Sequence, residues 1–286
     1  MSDTPEKVTA LDVARLAGVS QSAVSRVFTP GASASKRTAA KVRAAAEHLG
    51  YRPDPLARAM ITGRTRIIGL VVAYLENQFY PVALELLSRA LQDRGYHILI
   101  FMASNDAAKV EEVIRELIDY RVDGIITASV GMSNDMTAKL SALGVPVVMF
   151  NRGQEDPRLS EVTSDNVAGA MRATRFLVQA GHRRIAHVTG WQGSSTGRDR
   201  SAGFRQAMAE AGLEPFAMVD GMYDRPHAAG VARAMCKGPV RPDAIFVAND
   251  HMAFAVMDEL RFALGLRVPQ DISIIGYDDV PMAAWP

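Results

Sequence analysis

Over the first fifty residues, apolar positions fall at helical spacing in three short stretches separated by turn chemistry. Thr9 can N-cap a helix whose inward face is Val13, Leu16 and Ala17, and Gly18 fits the left-handed position that ends it. Ser20 caps a second helix over 21–28, and Pro30-Gly31 breaks the pattern. Ser35 caps a third helix over roughly 36–49, which Gly50 stops. A stiff Arg52-Pro53-Asp54-Pro55 connector leads to a short helical segment over 56–61 that Asp54 can cap and Thr62-Gly63 ends.

Beyond Arg66 the period changes. Short β-branched runs at 67–72, 97–101, 124–128 and 146–150 alternate with amphipathic stretches at about 80–94, 107–119 and 134–143. The alternation resumes with a helix over 166–180, a strand over 185–189, and helices over 199–211 and around 227–236. A strand over 244–248, a helix over 251–264 and a strand over 272–277 complete it. Strands apolar on both faces, each followed by a helix, predict parallel α/β layers. Two such runs divide near residue 160. The expected fold class is α/β: a small all-α head over 1–53, a hinge helix and linker over 54–65, and two doubly wound parallel-sheet lobes over 66–160 and 161–286.

Hydrophobic residues make up 48% of the 286 and charged residues 22%, which excludes wholesale disorder and a disulfide-rich mini-scaffold. The longest apolar run, 67–75, is too short to cross a bilayer as a helix. Residues 1–6 hold no basic stretch leading into an apolar one, and the single Cys236 can form no internal disulfide. A cytoplasmic protein without membrane contact is expected. The formal charge of +1 hides an asymmetry: residues 1–66 carry eleven basic groups against five acidic ones, +6, so the remainder sums to −5. A basic head on a mildly acidic body suits a polyanionic partner.

The helix–Gly18–helix spacing suits a helix-turn-helix, with Ala14 leaving room for the second helix and Val24 packing inward. The start of that second helix shows Gln21, Ser22 and Arg26, with hydroxyls at Ser20, Ser22 and Ser25. Gln can read adenine and Arg guanine in the major groove, while hydroxyls suit phosphate oxygens. An ordinary three-helix bundle with a polar face is the other reading of these residues.

The stretch Val8-Thr9-Ala10-Leu11-Asp12-Val13-Ala14-Arg15-Leu16-Ala17-Gly18-Val19-Ser20, with Val24-Ser25-Arg26-Val27 after it, resembles the head of a LacI-family transcriptional regulator. The resemblance continues through Leu49-Gly50-Tyr51-Arg52-Pro53 and Ala57-Arg58, and over the body through Ile67-Ile68-Gly69-Leu70, Val247-Ala248-Asn249-Asp250 and Gly276-Tyr277-Asp278-Asp279. It implies base reading by Gln21, Ser22 and Arg26, and phosphate contacts from Thr9, Ser20 and Ser25. It also implies a hinge helix over 54–61 that enters the minor groove, where Ala57 lies and Met60 stands in place of the family's usual wedging Leu. Asp54 replaces the usual Asn, and both cap helices well. The resemblance further implies a homodimer on a near-palindromic operator in double-stranded DNA, released or engaged by a small-molecule effector.

Ligands of doubly wound sheets sit beyond the carboxyl ends of the strands. The residues there are Asn77-Gln78-Phe79-Tyr80, Asn151-Arg152, Trp191 with a polar loop ending in Arg198, Asn249-Asp250 and Asp278-Asp279. Aromatic walls with converging Asn, Asp and Arg groups suit a small polar metabolite, with a sugar or related polyol the expected class; Arg152 and Arg198 leave room for an acidic or phosphorylated sugar. By resemblance to LacI-family and periplasmic sugar-binding proteins, Arg198, Asn249 and Asp278 match the commonest effector contacts, and Phe79, Tyr80, Asn151 and Tyr223 match more variable ones. Asp250 and Asp279 are expected to brace strand ends or a subunit contact.

Enzyme readings fare worse. Gly193-Ser194-Ser195-Thr196-Gly197 satisfies the nucleophile-elbow pattern G-x-S-x-G, but Gly190-Trp191-Gln192 separates it from the preceding strand, and a flexible ligand-gating loop explains its glycines better. No H-E-x-x-H, C-x-x-C, P-loop or dinucleotide signature occurs, and the six histidines are scattered, so neither a cofactor nor a metal is expected. A secreted solute-binding protein would share the body but needs a secretion signal and no head. Family members run some tens of residues past Gly276-Tyr277-Asp278-Asp279, and the resemblance places a further interlobe crossover there that a chain ending at Pro286 would not contain.

Overall fold

The computed structural model describes residues 8–29, 31–53, 63–103, 107–154, 156 and 158–285. The expected hinge segment, with Asp54, Ala57 and Met60, lies outside the described residues. The chain forms two compact units, residues 1–66 and 67–286.

The first unit is three helices: α1 (Ala10–Ala17), α2 (Gln21–Phe28) and α3 (Lys36–Leu49). Each starts where a side chain accepts an otherwise orphaned N–H: Thr9 from Asp12, Ser20 from Ala23 and Ser35 from Thr38. At Thr9 the cap is reciprocal, because the Asp12 carboxylate also accepts the Thr9 N–H at 2.9 Å. Those hydrogen bonds, the Thr9 hydroxyl first, hold the Asp12 carboxyl below the usual range. Gly18 turns the chain at φ 64°, a left-handed conformation that costs a Cβ-bearing residue energy. Val13, Ala14, Ala17, Val24, Val42, Ala45 and Ala46 close a small core. Leu16 departs from expectation: it is 53% exposed, because the contact stripe of α1 runs through positions 10, 13, 14 and 17 and leaves it on the flank.

The second unit holds two parallel sheets. The first contains β1 (Ile67–Val72), β2 (His97–Met102), β3 (Gly124–Ala128), β4 (Val147–Phe150) and β5 (Ser160–Val162), in the order β2-β1-β3-β4-β5. One face packs on α5 (Ala107–Asp119) and α6 (Asn134–Ala142) through Val110, Ile114, Leu117, Met136 and Leu140; the other packs on α4 (Phe79–Gln92). The second sheet contains β6 (Ile185–Thr189), β7 (Ala217–Asp220), β8 (Ala244–Val247) and β9 (Ser273–Ile275), in the order β7-β6-β8-β9. Helices α7 (Asn166–Gln179) and α8 (Ser195–Glu210) cover one face around Phe204, Met208 and Phe246. Helices α9 (Arg225–Cys236) and α10 (Asp250–Asp258) cover the other, and α10 continues into a π-helical turn, Glu259–Ala263.

Two strands were not expected from the pattern, β5 and β7, both at sheet edges. The last strand is shorter than the expected 272–277, and α8 begins at Ser195 rather than at 199, capped by Ser194. In each sheet the strand order reverses beside the central strand, between β1 and β3 and between β6 and β8, and a crevice opens at the carboxyl ends there. No helix among the described residues is long and apolar enough to cross a membrane.

Candidate functional site

The head presents one coherent polar face. Gln21, Ser22 and Arg26 on α2 are exposed, as are Thr9 and Ser20 before the two helices, and Ser25 is half-buried. The Ser20 and Ser22 hydroxyls are 2.9 Å apart at the start of α2, and Arg26 lies back along its helix with Nε donating to the Ser22 carbonyl at 3.3 Å. A helix N-terminus bearing hydroxyls, Gln and Arg within one and a half turns can meet both phosphates and base edges.

In the second unit, six residues just past strand ends adopt the left-handed backbone without being glycine: Ser129, Asn151, Met222, Tyr223, Asp278 and Asp279. Such conformations cost energy and collect where a site needs them. Asn151, Asp278 and Asp279 line one cavity between the lobes, and Tyr223 lines another. The first, of about 850 Å³, is lined by Phe79, Asn151, Arg200, Tyr277 and Asp278, among others. Phe79 stacks on Phe150 at 5.9 Å, and the buried Tyr80 hydroxyl accepts from the Asn151 amide at 2.8 Å. Burial raises the Tyr80 phenol well above its usual value.

At the centre, the Arg200 guanidinium lies 3.5 Å from the Asp278 carboxylate with both side chains under a tenth exposed. Arg200 is fixed on every side: it donates to Asn166 Oδ1 at 2.9 Å and to the Ala248 carbonyl, and its plane sits 3.7 Å from the Tyr277 ring centre. Burial pushes the Asp278 carboxyl up to about 6, against the pull of Arg200 and with a further push from Asp250. A carboxylate that water no longer solvates, held beside a guanidinium, is primed to accept hydroxyl hydrogen bonds from a ligand.

The other expected residues play different parts. Asn249 is buried and caps α10, its Oδ1 accepting the Met252 N–H at 3.0 Å. Asp250 braces the chain after β9 by accepting the Val280 N–H at 3.0 Å. Tyr223 lines a second cavity, of about 760 Å³, with Tyr74, Glu76, Arg225 and His251; its ring carries the Arg152 guanidinium at 5.3 Å, and its hydroxyl pairs with Thr196 at 3.0 Å. Arg198 stands apart from the Arg200–Asp278 pair. It is exposed, donates to the Gln192 carbonyl at 3.4 Å, and lines a third cavity away from Asp278. With α8 starting at Ser195, the buried stripe runs Thr196, Arg200, Gly203, Ala207, so Arg198 faces outward and Arg200 inward. The helix boundary set four residues late hid that stripe.

The glycines around Ser195 also serve a different purpose from the expected gating loop. A Cβ at Gly190 would overlap the Tyr223 ring, and one at Gly197 the Trp191 carbonyl. Gln192 ties the loop together through Gly190 O at 2.7 Å, Gly197 O at 3.2 Å and Ser201 at 3.1 Å. Ser195 itself accepts the Gly153 N–H at 3.0 Å, a bond between the two lobes.

Comparison with known proteins decides the assignment. Residues 9–54 match the model for bacterial regulatory proteins of the lacI family, and residues 65–283 match that for periplasmic binding proteins and the sugar-binding domain of the LacI family. The chain belongs to the LacI family. It is 34% identical over 279 residues to the ribose operon repressor of Escherichia coli, spanning 96% of this chain and 84% of that protein. It is 32% identical over 277 residues to the HTH-type transcriptional repressor PurR of Photobacterium profundum, spanning 96% and 83%. A crystal structure of the lac repressor dimer bound to operator and the anti-inducer ONPF superposes with a TM-score of 0.88 at 26% identity, covering 98% of this chain and 85% of that one. As a LacI-family member the protein is a DNA-binding transcriptional regulator under small-molecule control, and its relatives are repressors rather than enzymes.

Proposed function

We propose that the protein is a repressor that binds a near-palindromic operator as a homodimer, and that a sugar-class metabolite held between its two lobes sets operator affinity. In this reading residues 1–53 form the DNA-binding domain, 54–65 the hinge, and 66–160 and 161–286 the two lobes of the sensor. Gln21, Ser22 and Arg26 read bases, Thr9, Ser20 and Ser25 contact phosphates, and Ala57 and Met60 meet the minor groove. The exposed polar start of α2 and the operator-bound lac repressor dimer support the first part. A chromosomal operator places the protein in the cytoplasm.

The observation that carries the sensor reading is the buried Arg200–Asp278 pair at the wall of the larger cavity. Arg200 and Asp278 fix ligand hydroxyls, Asn151 adds an amide, and Phe79 stacks on the apolar face of a sugar ring; Tyr80 positions Asn151, and Tyr223 and Asn249 shape the opposite rim. Arg198 lies outside this group. The ribose operon and purine repressor names of the relatives set the first panel to screen. Thermal-shift titration with pentoses, hexoses and purine bases should find a stabilising metabolite whose affinity falls about tenfold or more in Asp278→Asn. Unchanged affinity in that variant would contradict the reading.

A further inference from the structure

The third cavity, of about 520 Å³, is walled by both lobes: Met132, Ser133, Arg152 and Gln154 on one side, Trp191 and Arg198 on the other. Among the described residues it is lined by two guanidinium groups and no carboxylate. Its neighbours differ in this respect, since Asp250, Asp278 and Asp279 line the first cavity and Glu76, Asp224, Asp258 and Glu259 the second. Two carboxylates stand behind its wall: Glu111, committed to the Ser133 hydroxyl and to Arg115 at 3.2 Å, and the exposed Glu161, which packs against Gly153.

We propose that this cavity is an oxyanion subsite, so that the metabolite sensed between the lobes carries a phosphate or carboxylate group. The proposal rests on the reading that the effector binds between the lobes. Arg152 is 6% exposed and fixed, with Nη1 donating to the Ser129 carbonyl at 2.9 Å and Nη2 to the Tyr74 hydroxyl at 3.2 Å. Arg198 gives one of its five N–H donors to Gln192 and stands at the rim, where others can reach a ligand. One guanidinium comes from each lobe, and two cations facing one cleft oppose its closure. An oxyanion between them removes that repulsion and accepts charge-assisted hydrogen bonds from both sides, so its binding favours the closed arrangement. Arg152 directly follows Asn151, which lines the first cavity, so a polyol bound by Asp278 can extend its anionic end here. Trp191 supplies an apolar wall for the carbon chain between them.

The test uses the full chain and inorganic phosphate as probe, titrated by thermal shift against chloride at equal ionic strength. Phosphate should stabilise the wild type, and Arg198→Gln should weaken its binding about tenfold, with Arg198→Lys intermediate. Glucose 6-phosphate and glucuronate, each compared with glucose, then separate a phosphate preference from a carboxylate one. No phosphate-specific stabilisation, or stabilisation equal in wild type and Arg198→Gln, overturns the proposal. A neutral sugar that binds the wild type but not Asp278→Asn, in a chain indifferent to phosphate, would remove this inference and leave the sensor reading standing.

Discussion

In the second sheet, His187 holds an ionisable ring wholly away from water. It is fully buried on β6, stacked on Phe246 at 4.5 Å, with Nδ1 against the Phe246 carbonyl at 2.9 Å and Nε2 lacking a partner among the described residues. A carbonyl only accepts, so Nδ1 bears a proton, and burial without an acceptor at Nε2 keeps the ring from taking a second. Burial lowers its pKa from 6.5 to about 4, opposed by the Phe246 hydrogen bond and aided by Arg205 and Arg200. The unfolded chain therefore takes up the proton first. The contribution is complete above about pH 6.5 and is lost progressively as pH falls toward 4, by roughly 3 kcal/mol at most. His187→Phe keeps the ring stack and should flatten the fall in thermal midpoint over that window; an unchanged slope would show that other groups set it. Cys236 is inert by comparison, a buried thiol that desolvation pushes up to about 11.

The element scale shows how much of the fold a pattern of residues discloses. Thr9, Ser20 and Ser35 cap the helices where their positions before apolar stripes say they should, and the runs at Gly124–Ala128 and Ile185–Thr189 are strands over their full expected length. These elements are flanked by unambiguous punctuation or buried on both faces, so local signal and tertiary contact agree. The strand β5 escaped because it lies at a sheet edge with all three residues exposed, Val162 at 58%, and offers no apolar run to read; β7, the other edge strand, is half-buried, and its four-residue apolar run at 216–219 is too short to tell from a helix flank. The start of α8 escaped because Gly197 reads as loop. In the folded chain Gly197 and Gly203 mark close approaches on that helix. That error cost the site its central cation, since only the register of α8 tells Arg200 from Arg198. At Gly203 a Cβ would overlap the Val167 carbonyl and lie 3.0 Å from the Ala170 Cβ, across the contact of α8 with α7. Gly203→Ala should lower stability by about 1–3 kcal/mol, read from the urea midpoint, although alanine is the better helix former. Equal or higher stability would mean that the two helices separate easily.

At the scale of the whole molecule, charge and topology divide the labour. A head of +6 on a body of −5 concentrates attraction for DNA phosphates at one end of the chain, while the parallel sheets turn the carboxyl ends of their strands toward a shared cleft. Effector and operator are linked only if the effector binds the DNA-competent and incompetent arrangements with different affinity, and the linkage then runs both ways. The most direct measurement is fluorescence-anisotropy titration of the full chain on an operator selected from random duplex DNA, with and without the stabilising metabolite. The account predicts a near-palindromic selected site and a midpoint that the metabolite moves several-fold in the wild type but not in Asp278→Asn. No enriched sequence, or a metabolite-induced shift of equal size in Asp278→Asn, would contradict it.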